Sequence, residues 1–317
     1  MPLPGARGLL RLAGLALAVL CLAFVGLQLA EHRPWRLEPR LLAALLGWSL
    51  FGAVVYALAS LLVSSAWRHL LAACGHELPP AVAHAVYGRS QIAKYLPTNA
   101  LHVVGRHLMG RALGVSHARL VRSALYESAA RVACAGLLAG PLLAGPLWLL
   151  LPAGLVGLAA LAGRRRPSPP PSPEAAPAGV VPPAAGVAGS LAAAGLRYVA
   201  FFLVVGGVLW LLTVAAAGGP EAGSTVATPT GFARSLSINA LAWLVGFLSV
   251  GAAAGVGVRE AVLIASLSPA IGPAEAAAVA VALRAVTVLG DTLFFLGCLA
   301  LPLRPTTAAP APARHPG

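Results

Sequence analysis

Ten side chains, grouped in two blocks of an otherwise apolar chain, carry groups that could bind a polar ligand. In chain order they are Lys94, Tyr95, Asn99, Arg106, Glu127, Arg131, Arg259, Glu260, Arg284 and Asp291. An arginine guanidinium binds phosphate through paired, charge-assisted hydrogen bonds, and the carboxylates could balance that charge or meet a cationic headgroup. Charged residues within a membrane segment mark functional sites by default. We therefore predict that these ten residues bind substrate, although Lys94 and Tyr95 fit an interfacial anchor equally well.

The spacing of the charges also allows a purely structural role. Glu127 and Arg131 are four residues apart and share a helical face, so they can neutralise each other. Arg284 and Asp291 are seven apart, which places them on one face about two turns distant. The alternative to a binding site is therefore that the charges pair with one another and hold helices together.

The sequence argues against an enzyme and against a metal or cofactor site. His102 and His107 are five apart, not the three or four that share a helical face, and His69, His76 and His84 are loosely spaced. The chain has no Gly-x-Ser-x-Gly motif and no pair of carboxylates at catalytic spacing. Its four cysteines are scattered and fit small packing residues. We expect no catalytic residue, no cofactor and no metal.

Composition places these residues in a polytopic α-helical membrane protein. Hydrophobic residues make up 59% of the 317 and charged residues only 10%, whereas a soluble chain carries roughly 25% charged residues. Apolar runs of about 20 residues follow one another without the alternation of barrel strands. The net charge of +13 comes from arginines at segment ends and in one linker, where they meet anionic headgroups and set topology.

The apolar runs predict about six transmembrane helices in two halves, residues 1–163 and 191–303. The expected spans are residues 9–30, 41–65, 123–143, 145–163, 191–217 and 274–301. The first run is too long for the apolar region of a signal peptide, so we expect an uncleaved span. Residues 164–190 form a basic linker rich in proline and alanine, and the tail 304–317 is expected to be disordered.

Charge placement predicts the orientation. Positive-inside reasoning puts Arg164–Arg166 in the cytoplasm, and six spans then give a cytoplasmic N-terminus and a cytoplasmic C-terminus. The loop 31–40, with three arginines, disagrees, although two glutamates offset part of its charge. We expect a multi-pass protein of the cell (plasma or inner) membrane.

Two segments, 81–114 and 235–268, are too broken to be ordinary spans. Pro97 removes a helical donor and breaks the first, while Gly251, Gly255 and Gly257 weaken the second. Non-helical backbone is tolerated within a membrane only when it is buried in protein or lines a water-filled cavity. We predict two re-entrant helical hairpins; for the second, an ordinary span ending at Gly255 and followed by a surface helix is the alternative.

The two broken segments also resemble copies of each other. The interval along the chain from Arg106 to Arg131 equals the interval from Arg259 to Arg284. The span before the first hairpin runs outside to inside and that before the second runs inside to outside, so the copies would be inverted. Inverted repeats with broken helices at the midplane are a transporter architecture.

The same blocks carry a family resemblance. The matching pieces are Lys94-Tyr95-Leu96-Pro97, Gly105-Arg106, Gly114-Val115, Tyr126-Glu127 and Gly255-Val256-Gly257-Val258-Arg259-Glu260. From about residue 40 to 300 the chain resembles the transmembrane region of lysylphosphatidylglycerol synthases, a group of flippase-like membrane proteins. It departs from the family at Thr98, where a glycine is common, and at 251–254, which lack a proline; both changes bear on turn geometry.

The resemblance implies a lipid-translocating role without the family's soluble aminoacyl-transfer domain, for which we expect no room in the short stretch after the last predicted span. We therefore expect a flippase-like protein that moves phospholipid or lipid-linked headgroups between leaflets. The alternative is a non-transporting partner, or scaffold, for a separate lipid- or glycan-modifying enzyme. A charged face that lines an open cavity would favour the first, and closure by internal salt bridges would favour the second.

Overall fold

The computed structural model describes residues 37–95, 101–142, 186–219, 225–249 and 255–303, together with the isolated positions 27, 30 and 31. The predicted span 145–163, the tail 304–317, nearly all of the span 9–30 and most of the linker 164–190 lie outside the described residues. Asn99 and the proline break at Pro97 also lie outside them.

The described residues form an all-α structure, which confirms the predicted class. Its eight α-helices are α1 Pro39–Ala73, α2 Pro80–Gln91, α3 Leu101–Ala112, α4 His117–Ala139, α5 Gly186–Ala216, α6 Pro229–Leu248, α7 Val258–Ile271 and α8 Pro273–Leu299. Half of them, α1, α2, α6 and α8, begin with a proline in the first turn. Proline suits this position because its missing N–H would have no partner there and its φ is already helical.

Four of these helices are long and apolar enough to cross a membrane. They are Pro39–Ala73, Val187–Ala216, Pro229–Leu248 and Pro273–Leu299. The outer face of α1 exposes Leu46, Phe51 and Leu58, by 62%, 53% and 62%, as a helix in contact with lipid would. The predicted span 123–143 falls mainly on α4, which has 23 residues but carries four charges, so it is not one of the four. The described part of the chain thus contains four candidate spans, against about six predicted for the whole chain.

The two longest helices, α1 and α5, pack along each other at the centre of the bundle. Helix α8 lies against α1, α2 packs on α8, and α6 packs on α4. Three buried apolar clusters fill the interior of the described structure. One joins α1, α5 and α8 through Tyr56, Leu209 and Val279, a second includes Trp67, and a third, around Phe202, joins α4, α5 and α6. Helix α2, which follows the long helix α1, therefore packs on α8 near the other end of the chain. Helix α6, which follows the long helix α5, packs back on α4.

The structure interrupts the helix in both of the segments that the sequence singles out. Helix α2 continues as a 3-10 turn to Tyr95, and α3 starts at Leu101; each α-helix has 12 residues, or about 18 Å, well short of a bilayer core. Helix α6 ends at Leu248, and Gly257, with φ of +85°, precedes α7. In both segments the two helices contact each other. The second segment differs because α6, with 20 residues, is long enough to span by itself.

Arg89 fastens the end of α2 to the end of α8. Its Nε donates to the carbonyl oxygen of Cys298 at 3.2 Å, and its Nη2 donates to those of Leu299 and Leu301 at 2.9 and 2.7 Å. The last carbonyls of a helix have no partner within the helix, so a cation there caps it. This contact places the 3-10 turn after α2 beside the wall of α8.

Replacing Gly290 with alanine should destabilise the protein by about 1–3 kcal/mol, as overpacking does. Gly290 sits where α8 crosses α1, and a Cβ there would lie 2.6 Å from Tyr56 Cδ1 and 2.8 Å from the backbone oxygen of Ala53. Gly297→Ala, in the same helix, is the matched control, because a Cβ at that position meets nothing within 4 Å. Unfolding in mixed detergent micelles measures both; equal stability of the two variants would contradict the close crossing.

Candidate functional site

The first charge cluster surrounds Glu127 of α4. Its Oε2 lies 2.8 Å from Arg106 Nη2, and its Oε1 lies 2.7 Å from Arg131 Nη2. The hydroxyl of Tyr87 donates to the same Oε1 at 2.8 Å and accepts a hydrogen bond from Arg131. Glu127 is 3% exposed and Arg106 4%. The predicted pairing of Glu127 with Arg131 is confirmed, and Arg106 joins it from α3.

Aromatic rings complete the surroundings of these two arginines. The guanidinium of Arg106 lies over the rings of Tyr87 and Trp67, at 4.6 and 5.2 Å from their centroids. That of Arg131 lies 5.3 Å from the centroid of the Tyr198 ring. A cation is attracted to the face of an aromatic ring, most strongly where water is excluded. The rings therefore help to hold two guanidinium groups beside one carboxylate.

The second cluster joins α7 to α8. Oε1 of Glu260 lies 2.6 Å from Arg284 Nε, and its Oε2 accepts a hydrogen bond of 2.7 Å from the backbone N–H of Gly257. Glu260 is the third residue of α7, where a carboxylate that reaches back to the preceding N–H caps the helix. Glu260 therefore caps its own helix, α7, and also binds Arg284 of the next helix, α8.

The third cluster fixes Asp291 of α8 to the turn after α2. Its Oδ2 lies 2.6 Å from Lys94 Nζ and accepts a hydrogen bond of 2.5 Å from the Tyr95 hydroxyl. Asp291 is 2% exposed, and the side chain of Lys94 is 20% exposed. Arg284 and Asp291 lie on one helix as the spacing predicts, but their partners belong to different elements.

A central cavity of about 160 Å³ is lined by residues from all eight described helices, so it touches every helix that carries these clusters. It is lined by Tyr56, Ser60, Val63, Tyr87, Gln91, Lys94, His102, Arg131, Tyr198, Phe201, Phe202, Val205, Asn239, Trp243, Gly246, Phe247, Gly255, Arg259 and Asp291. The lining carries three cations, Lys94, Arg131 and Arg259, against the single carboxylate of Asp291. The described wall therefore favours an anionic occupant.

Arg259 differs from the other predicted arginines. It lines the central cavity, and it forms no ion pair or hydrogen bond within the described part of the chain. Its side-chain stem packs on Gly246 and Gly255, where added Cβ atoms would lie 2.4 and 3.1 Å from its Cγ. These two glycines let the stem cross the α6–α7 junction. As far as the described residues go, packing holds this guanidinium and leaves its donors for a ligand.

Three buried polar atoms in the cavity wall lack a hydrogen-bond partner among the described residues. They are the hydroxyl oxygen of Tyr198, a residue with no exposure, Oδ1 of Asn239, which is 1% exposed, and Nδ1 of His102. Buried polar atoms are normally satisfied, so this group points to a polar ligand or to water in the cavity.

Neither Tyr198 nor Asn239 was among the residues selected from the sequence. Asn239 could have been selected from the sequence, since it is the one amide side chain in the apolar helix α6. Nothing in the sequence points to Tyr198 as a site residue, because a tyrosine in an apolar run is as often a packing residue as a binding residue. Of the ten predicted residues, the structure describes nine and draws eight into the three clusters, with Arg259 on the cavity wall.

No protein-family model matches this chain, and no curated protein is significantly similar to it.

Proposed function

We propose that this protein is a lipid flippase-like transporter, which moves phospholipids or lipid-linked molecules with an anionic headgroup between leaflets through the central cavity. The observation that carries the proposal is Arg259, a guanidinium without a described partner that lines the central cavity of a bundle with four apolar candidate spans. A charge is costly in such a place and is kept there for function.

The chemistry of the wall supports an anionic headgroup as the cargo. A headgroup must cross about 30 Å of hydrocarbon, so it needs a polar path through protein. Arg259 and Arg131 can bind a phosphate through charge-assisted hydrogen bonds. The Tyr198 hydroxyl and Asn239 offer further polar contacts, whereas the aromatic rings of the lining suit the glycerol and upper acyl chain. Lys94, 20% exposed, is placed to meet a headgroup at the edge.

We further propose that α2–α3 and α6–α7 are re-entrant hairpins in an inverted repeat, and that alternate opening of the two exposes the cavity to each leaflet. The helix contacts support this repeat, since α2 of the first half packs on α8 of the second, and α6 of the second half packs on α4 of the first. Each hairpin is also ion-paired to the helix that follows it, through Arg106 and Glu127 in the first half and Glu260 and Arg284 in the second. The acidic partner lies on the helix in one half and on the hairpin in the other.

The other expectations from the sequence stand as parts of this proposal. They are the relationship to the transmembrane region of lysylphosphatidylglycerol synthases, a transporter rather than an enzyme, a place in the cell membrane, and cytoplasmic termini. The order of the sequence motifs supports the first, and the placement of arginines supports the last.

Reconstitution tests the proposal. Vesicles that contain the protein and a trace of fluorescent phosphatidylglycerol or fluorescent phosphatidylcholine are treated with an impermeant reductant that quenches only the outer leaflet. We expect loss of the inner-leaflet signal to be faster than in protein-free vesicles, and faster for the anionic lipid. Equal rates with and without protein, for both phospholipids and for an anionic sugar-linked lipid, would rule out transport of these cargoes.

The scaffold reading also has an observation in its favour. Glu127, Glu260 and Asp291 are each bonded to a basic side chain of another helix or turn, so these charges do close the structure internally. A scaffold would bind its enzyme partner without moving lipid. Absence of translocation together with recovery of one lipid- or glycan-modifying enzyme in stoichiometric complex would favour that function.

A further inference from the structure

A second cavity, separate from the central one, opens between α3 and α4. Its volume is about 300 Å³, and it shares no lining residue with the central cavity. We call it the lateral groove; its lining residues are Trp67, Val103, Arg106, His107, Leu120, Val121, Ser123, Ala124, Leu125 and Ser128. Most of the lining is apolar, with one guanidinium among the side chains.

The guanidinium of Arg106 has donor capacity left over in this groove. Its Nη2 is bonded to Glu127, but its Nη1 has no hydrogen-bond partner among the described residues, although the side chain is only 4% exposed. An unsatisfied charged donor is costly in an apolar place. The structure therefore holds a partly satisfied cation in the wall of an apolar groove.

The rim of the groove matches a lipid more closely than it matches water. Val104 and Leu108 on α3, and Val121 and Leu125 on α4, are 47%, 64%, 40% and 64% exposed. Near the turn between α3 and α4 the chain carries three arginines, Arg111, Arg119 and Arg122, of which Arg111 and Arg122 are exposed. An apolar rim with arginines near one end matches the polarity of one leaflet, from acyl chain to anionic headgroup.

We infer that the lateral groove binds one anionic phospholipid. An acyl chain packs on Trp67, Leu120 and Leu125, and the phosphate pairs with the unsatisfied Nη1 of Arg106 after a small side-chain adjustment. The guanidinium of Arg106, with the arginines near the α3–α4 turn, selects anionic over zwitterionic lipid. This inference goes beyond the proposed function, since a lipid can occupy the groove whether or not the central cavity transports one.

Trp67 provides the probe, because it lines the groove and is only 1% exposed. A lipid in the annulus cannot reach such a ring, but an acyl chain in the groove can. A variant that keeps Trp67 and replaces the other five tryptophans with phenylalanine is reconstituted with phosphatidylglycerol or phosphatidylcholine brominated on the acyl chain. We expect half-quenching at about fivefold lower content of the anionic lipid, as one added charge contact near a membrane surface would give.

Two variants and one control make the experiment decisive. Ala124→Phe fills the groove from its α4 wall and should remove the quenching of Trp67. Arg259→Ala should leave it unchanged even where translocation stops, which separates this site from the central cavity. A variant that keeps only Trp48, 39% exposed on α1, should be quenched equally by both lipids.

Equal quenching of Trp67 by the two brominated lipids, or none by either, would overturn the inference. If replacement of five tryptophans impairs folding, Trp67→Phe in the otherwise unchanged chain gives the answer by difference. In that case the intact protein should show a component of quenching that depends on phosphatidylglycerol, and the variant should lose it. A variant that retains this component would equally overturn the inference.

Discussion

Replacing Glu127 with alanine should destabilise the protein by about 3–5 kcal/mol, the cost of leaving buried charge without its partner. Glu127 is bonded to Arg106, Arg131 and Tyr87, and it is 3% exposed. Without it, the guanidinium of Arg106 stays buried and the two arginines repel each other. Unfolding in mixed micelles titrated with a denaturing detergent measures the loss.

Glu38→Ala supplies the control for this variant, because Glu38 is exposed before α1 and its side chain makes no capping bond. We expect its effect to stay within about 1 kcal/mol. The double variant Arg106→Leu with Glu127→Leu should regain part of the stability, since a buried pair replaced as a whole costs less than one that is broken. A Glu127→Ala protein as stable as the Glu38→Ala protein would show that the cluster does not hold α3 to α4.

Replacing Arg259 with alanine should reduce translocation of anionic lipid by roughly ten- to hundredfold, as loss of one or more charge-assisted hydrogen bonds would. Stability should change by no more than about 1 kcal/mol, because the packing of the stem is lost but no ion pair or hydrogen bond within the described residues is. Arg259→Lys keeps the charge without the paired donors, so its rate should be intermediate. The vesicle assay and an unfolding titration are carried out on the same preparations.

Arg40→Ala is the matched control, since Arg40 is an exposed arginine of α1 outside the central cavity. It should translocate lipid at the unchanged rate. An Arg259→Ala protein with normal translocation would remove Arg259 from the path. One that unfolds would instead show that Arg259 is structural.

The two predictions separate two arginines that the sequence makes equivalent. Arg106 and Arg259 each precede a second arginine by the same interval along the chain. In the structure Arg106 is paired with Glu127, whereas Arg259 has no acidic partner among the described residues. When Arg106 is aligned with Arg259, the position that corresponds to Glu127 in the second half is Ala280. Loss of translocation on removal of Arg106 would therefore not distinguish a damaged site from a damaged fold, and Arg259 is the cleaner test.

The sequence alone determined the features that depend on local chemistry. Long apolar runs satisfy their backbone as helices, so the all-α class and three of the four described candidate spans could be read from hydropathy, whereas α6 was assigned to a hairpin. The glycines around 255 marked the break before α7, and a spacing of four gave the pair Glu127 and Arg131. Each of these follows from neighbours along the chain.

Only the tertiary structure decided which distant side chains meet. Tyr95 and Asp291 are 196 residues apart, and nothing in the sequence of either segment predicts that the two side chains meet. The cavity wall likewise depends on the packing of α5 on α6 and of α6 on α7, which brings Tyr198, Asn239 and Arg259 to one cavity. In a chain so rich in alanine, glycine and leucine, many helix pairings bury similar surface. The helix arrangement that pairs the buried charges is the one adopted, and those ion pairs exist only once the helices have packed.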